Sequence, residues 1–175
     1  MTRRLIFALL AFSLLAPASA SSKRPKKNSL TFHLEGNEVD GPRMVFPLPM
    51  GDKQRFFLKS PLTFTKELVA YKPFFAQDGT AGATFAFTKP AANRITARTT
   101  QHQGKWLVAM LNGRPVDAIY IDKPVRDGRL VIWQGIREGE INAFEYAMPH
   151  IGEDHKDWKA RLKAHEAAMK AAKKK

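Results

Sequence analysis

The sequence predicts an α+β domain in which an antiparallel sheet carries helices packed on one face, followed by a basic C-terminal helix. Short apolar segments with strand-like alternation are separated by Gly, Asn-Gly and Asp-Gly turns. Helical spacing of apolar residues appears in a few longer stretches. These elements run in the order strand, helix, strand, hairpin, helix, which favours an antiparallel sandwich over parallel crossovers. No internal repeat with a fixed period is present.

Residues 1–20 read as a signal peptide. Arg3 and Arg4 precede an apolar run over residues 5–15, and Pro17 precedes Ala18-Ser19-Ala20, an A-x-A cleavage signature. The run is shorter than the roughly 20 residues a membrane span requires, so the expectation is an exported chain beginning at Ser21, periplasmic or secreted. An uncleaved N-terminal anchor is the alternative. Residues 21–29 form a basic linker, residues 30–154 the folded domain and residues 155–175 a basic Ala/Lys-rich helical tail.

Within the domain, Leu30 to Leu34 alternates as a half-buried strand, with His33 on the polar phase and so expected in solvent. Residues 36–41 are turn-rich, residues 44–46 resume a short apolar run, and residues 55–58 read as the next strand. Thr65 is placed to cap a helix carrying Leu68, Val69 and Tyr71 up to Pro73. After a Gly79 to Gly82 loop, residues 83–88 form a strand with Phe85 and Phe87 on one face. Lys89-Pro90 opens a helix whose Ala92, Ile95, Thr96 and Thr99 keep helical spacing. Residues 106–111 and 116–121 are strands joined by Asn112-Gly113, the strongest hairpin signal in the chain. Asp127-Gly128 turns into a strand over residues 130–133, Gly135 punctuates it, and residues 138–148 form a helix with Ile141, Phe144 and Met148 on one face.

The net charge of +13 is concentrated at the ends. With Arg3 and Arg4 removed, the segment at 21–27 and the eight Lys/Arg beyond residue 154 account for nearly all of it, leaving residues 28–154 close to neutral. A nucleic-acid-binding domain carries its positive charge on a folded face, so groove reading is disfavoured. Loose attraction to anionic lipid, envelope polymer or nucleic acid through the tails remains as the alternative function. There is no cysteine, which excludes a disulfide framework, thiolate metal sites, a cysteine nucleophile and a lipid-modified cysteine anchor.

No catalytic signature emerges, and no cofactor or metal is expected. His150, Glu153, Asp154 and His155 lack the spacing of a helical metal motif and read as a solvated segment end. Glu138, Glu140 and Glu145 read as dipole partners near a helix start. No nucleophile elbow or phosphate-binding glycine loop is present. Trp106 and Trp133, both in strands, read as core residues. In the C-terminal helix, Trp158, Leu162, His165 and Met169 make a narrow apolar stripe; a solvated helix fraying at residues 173–175 and a basic amphipathic surface helix are the two readings.

The segment from Ala83 to Gly152 resembles the periplasmic head region of the SecD subunit of the bacterial protein-export machinery. The residues that carry the resemblance are Lys105-Trp106-Leu107-Val108-Ala109, Leu111-Asn112-Gly113-Arg114, the Asp127-Gly128 turn and Gly135-Ile136-Arg137-Glu138-Gly139-Glu140, with Arg94-Ile95-Thr96 in the preceding helix. It implies a ferredoxin-like fold and a module that contacts polypeptide emerging from the translocon. Two departures limit it: Ile119-Tyr120 stands where the family has a proline, and the family's proton-driven membrane helices have no counterpart here. The expected function is therefore a non-enzymatic binding or scaffolding module of the cell envelope. The expected partner is a protein or polypeptide, met through the hairpin residues Asn112, Gly113 and Arg114 and the helix residues Lys159, Arg161 and Lys163.

Overall fold

Eight strands and three helices build the fold in the computed structural model, which describes residues 27–75, 77 and 79–172. The signal peptide, most of the basic linker and residues 173–175 lie outside the described residues. The strands are β1 (Leu30–Leu34), β2 (Val45–Met50), β3 (Lys53–Leu58), β4 (Leu68–Phe75), β5 (Ala81–Phe87), β6 (Trp106–Leu111), β7 (Arg114–Tyr120) and β8 (Arg129–Ile136). The helices are α1 (Lys89–Gln101), α2 (Glu138–Ala147) and α3 (His155–Ala172). All ladders are antiparallel, in the orders β1-β6-β7, β2-β3 and β4-β5-β8, and the α+β class matches the sequence expectation, consistent with a ferredoxin-like arrangement.

The two three-stranded sheets meet where β7 lies beside β8. Side chains, not a ladder, join them: the Trp133 amide donates to Asp117 Oδ2 at 2.6 Å, and Arg114 donates to the Gly135 carbonyl at 3.0 Å. Gly135 does not end the strand but sits inside β8 at φ 87°, where an added Cβ would stand 2.8 Å from the Val116 carbonyl oxygen. Only glycine tolerates both that conformation and that approach.

One core lies between the sheets and α1 and α2. Phe32, Leu107, Leu111, Tyr71, Phe85, Ile132, Ile95 from α1 and Phe144 from α2 are all essentially without solvent contact. Phe144 packs edge-on to Phe85 at 5.1 Å and against Tyr71 at 5.6 Å. Arg94 fastens α1 to the loop before β4 through the Leu62 carbonyl and Glu67.

The β2–β3 hairpin covers the opposite face of β1 and β6. It overturns the expectation of a solvated His33: the ring is 9% exposed, bonded to Thr31 Oγ1 and the Leu58 carbonyl, and edge-on to Phe46. Burial pushes the His33 pKa below its ordinary value, with the bond to Leu58 opposing. In β2 the register puts Pro47 and Pro49 on the phase of Val45, whose amide turns away from β3 to the Gly41 carbonyl. The missing amides therefore fall on the outer edge, where proline costs no ladder bond and blocks further strand addition.

The segment expected as a helix from Thr65 is instead a single 3-10 turn, Thr65–Glu67, running into β4. Thr65 Oγ1 bonds the Leu30 backbone rather than capping a helix. Tyr71 exchanges backbone bonds with Pro149 and Ile151 across the outer edge of β4, so distant pairing overrides the local helical spacing.

Candidate functional site

Two surfaces suggested by sequence resolve into different roles. At the β6–β7 turn, Asn112 (φ 54°) and Gly113 (φ 80°) take the left-handed conformations of a tight hairpin. The Asn112 side chain accepts from the Ser29 amide and donates to Asn28 and Glu140, while Arg114 pairs with Glu140 at 2.9 Å. Glu140 also accepts from the Arg137 amide, so one carboxylate caps α2 and clamps the hairpin to it. Asn112 and Arg114 are thus engaged within the fold, and Gly113 remains exposed at the tip.

On α3, Arg161 is likewise turned inward. It forms a fork with Glu153 at 2.8 and 2.9 Å and pairs with Glu145, which also takes His150 Nε2 at 2.8 Å. The solvated segment end expected around His150 is therefore a half-buried ion-pair cluster. Glu145 is not at the helix start but in the last turn of α2, where the Arg161 guanidinium offsets an unfavourable dipole. Trp158 donates to the Glu145 carbonyl and Tyr146 meets His165, so the apolar stripe of α3 docks on α2. Among the described residues no group of three or more His, Cys, Asp or Glu side chains is arranged to hold a metal ion.

Beneath this cluster lies Tyr71, wholly buried, whose hydroxyl has no hydrogen-bond partner among the described residues. Burial pushes its pKa well above the ordinary value; Arg161 opposes the shift and Glu153 adds to it.

The surface that sequence reasoning missed is the outer face of β4-β5-β8. The ladders align Ala70, Ala86 and Arg129 in one row and Lys72, Thr84 and Val131 in the next. Phe74 pairs with Gly82 and packs against Trp133 at 6.0 Å. Gly82 makes this possible, since a Cβ there would stand 2.3 Å from the Phe74 ring and 2.5 Å from the Trp133 carbonyl. Trp133 is 61% exposed rather than in the core, because α1 and α2 cover only the other face. Phe75, at the end of β4, is 97% exposed. The signal in the sequence was the parity of β8: Leu130 and Ile132 face inward, so Trp133 must face out.

Trp106, also expected in the core, is half-buried on the outer face of β6, packed at a tilt against Tyr120 and covered by Arg55, itself paired with Glu35 at 2.6 Å. A cavity of about 270 Å³ beside His33, lined by Thr31, Phe46, Lys59 and Met110, falls below the roughly 300–1,000 Å³ of small-molecule sites. No helix among the described residues is long and apolar enough to cross a membrane.

No family model and no curated protein matches the chain. Among solved structures, it is similar to SecDF, described there as a membrane component that enhances protein export, at 22% identity and a TM-score of 0.47, covering 69% of this chain and 61% of that one. A second SecDF structure, in a super-membrane-facing form, matches with the same identity and TM-score over 69% of this chain and 18% of that one. The chain spans less than two thirds of either SecDF chain.

Proposed function

We propose that the protein is an exported, non-enzymatic binding module whose outer β4-β5-β8 face takes an extended polypeptide segment. The observation that carries this reading is the Phe74–Trp133 pair on an open sheet face, beside the cations Lys72 and Arg129. Aromatic side chains lose little conformational entropy on contact and offer large apolar area, which suits a binding surface. The rows of the face also carry Lys72 and Arg129 and no acidic side chain. The complementary ligand is a strand-like segment placing an apolar residue over Trp133 and acidic residues near the two cations.

The test is fluorescence anisotropy with a labelled, reduced and alkylated polypeptide that cannot fold. Phe74→Ser with Trp133→Ser should weaken binding at least tenfold while circular dichroism stays unchanged. Unaltered binding by that variant would overturn the reading, as would turnover of any substrate that a point change in the folded body abolishes.

A further inference from the structure

Docking fixes the rotation of α3. Trp158, Arg161, Leu162 and His165 recur at spacings of three and four and, with Glu166, are partly buried among the α3 residues whose burial is described, three of them engaged with α2 or the segment after it. Lys156, Lys159 and Lys163 fall on the opposite side at i, i+3 and i+7 and are exposed. At 1.5 Å rise per residue they make a straight row about 10 Å long. Arg161 holds this orientation by gripping Glu145 and Glu153 from two sides.

This arrangement excludes one use of the helix and supports another. An amphipathic membrane helix inserts its apolar stripe, but here that stripe is spent on α2. We infer that α3 is a rigid lysine ridge that lies on an anionic lipid surface by charge alone and tethers the domain there without insertion. A straight row on one side of a fixed helix matches a planar array of headgroups, and the near-neutral body adds no competing field. The inference concerns α3 and stands apart from the sheet face proposed above.

The test is sedimentation of the exported chain with vesicles containing 30% phosphatidylglycerol and with pure phosphatidylcholine. Each lysine contributes about fivefold to partition at an anionic surface, so Lys156→Gln, Lys159→Gln and Lys163→Gln together should reduce binding to anionic vesicles about 100-fold. The charge-matched control Lys53→Gln, Lys89→Gln and Lys123→Gln, at exposed body positions, should change it less than threefold. Equal losses in the two triples, or none in the first, would overturn the inference. So would binding to soluble polyphosphate with the same lysine dependence but no binding to vesicles, which would assign the ridge to a polyanion. Trp158 fluorescence, read in a Trp106→Phe, Trp133→Phe background and unchanged by the ridge substitutions, verifies that α3 stays docked.

Discussion

Replacing Tyr71 by Phe should stabilise the protein, the reverse of the usual outcome for a core tyrosine. The Tyr71 ring is fully buried among Phe85, Phe144 and His150, and its hydroxyl has no hydrogen-bond partner among the described residues. A buried unsatisfied polar group costs about 1–3 kcal/mol, and phenylalanine keeps every ring contact. Allowing for the small void left by the oxygen, the expected gain at pH 7 is about 1 kcal/mol, or roughly 2–4 °C in Tm for a chain of this size.

The pH dependence supplies a second, independent reading of the same group. Because burial raises the folded pKa above the unfolded value of 10.0, Tyr71 stays protonated in the fold while the unfolded chain ionises. Its contribution is therefore fully present below about pH 10 and is lost as the pH rises. At pH 11 the loss is about 1.4 kcal/mol, which Tyr71→Phe removes, so the advantage of the variant should widen by that amount. Urea unfolding at pH 7 and pH 11 measures both. A variant destabilised by 1 kcal/mol or more at pH 7, with no widening at pH 11, would refute the reasoning.

Gly135→Ala should cost about 2–4 kcal/mol in urea unfolding, combining a positive φ with a Cβ 2.8 Å from the Val116 carbonyl; a loss below 0.5 kcal/mol would mean that β7 and β8 are not in close contact. His33 is held neutral by burial, so its folded pKa lies below the unfolded 6.5, and its contribution is lost as the pH falls through that range. Stability measured from pH 7.5 to 5 should therefore fall more steeply for the native chain than for His33→Leu, and parallel slopes would count against a buried His33.

The elements legible in the sequence are those specified by adjacent residues. Asn112-Gly113 demands left-handed backbone whatever surrounds it, and Lys89-Pro90 and the Ile141, Phe144, Met148 spacing mark α1 and α2 by local geometry. Residues 65–73 fold as a turn and strand where a helix is expected, because helical spacing and strand alternation coincide over so short a run. The decision fell to pairing partners: β5 ladders along one edge of the segment, and Pro149 and Ile151, some eighty residues away, bond Tyr71 on the other.

By itself, the sequence determined the α+β class, the hairpin, the three helices and the segregation of charge to the tails, all of which follow from periodicity, turn chemistry and composition. Only the tertiary structure decided which faces are covered. The β2–β3 hairpin buries His33 on a phase that reads as polar, while no element among the described residues covers the outer face of β8, so Trp133 is exposed on a phase that reads as core. The same holds on α3, where Arg161 and Lys159 are both cations in sequence, but docking on α2 turns one inward and the other to solvent. Burial is a property of what packs against a residue, and that is set by long-range contacts no local pattern encodes.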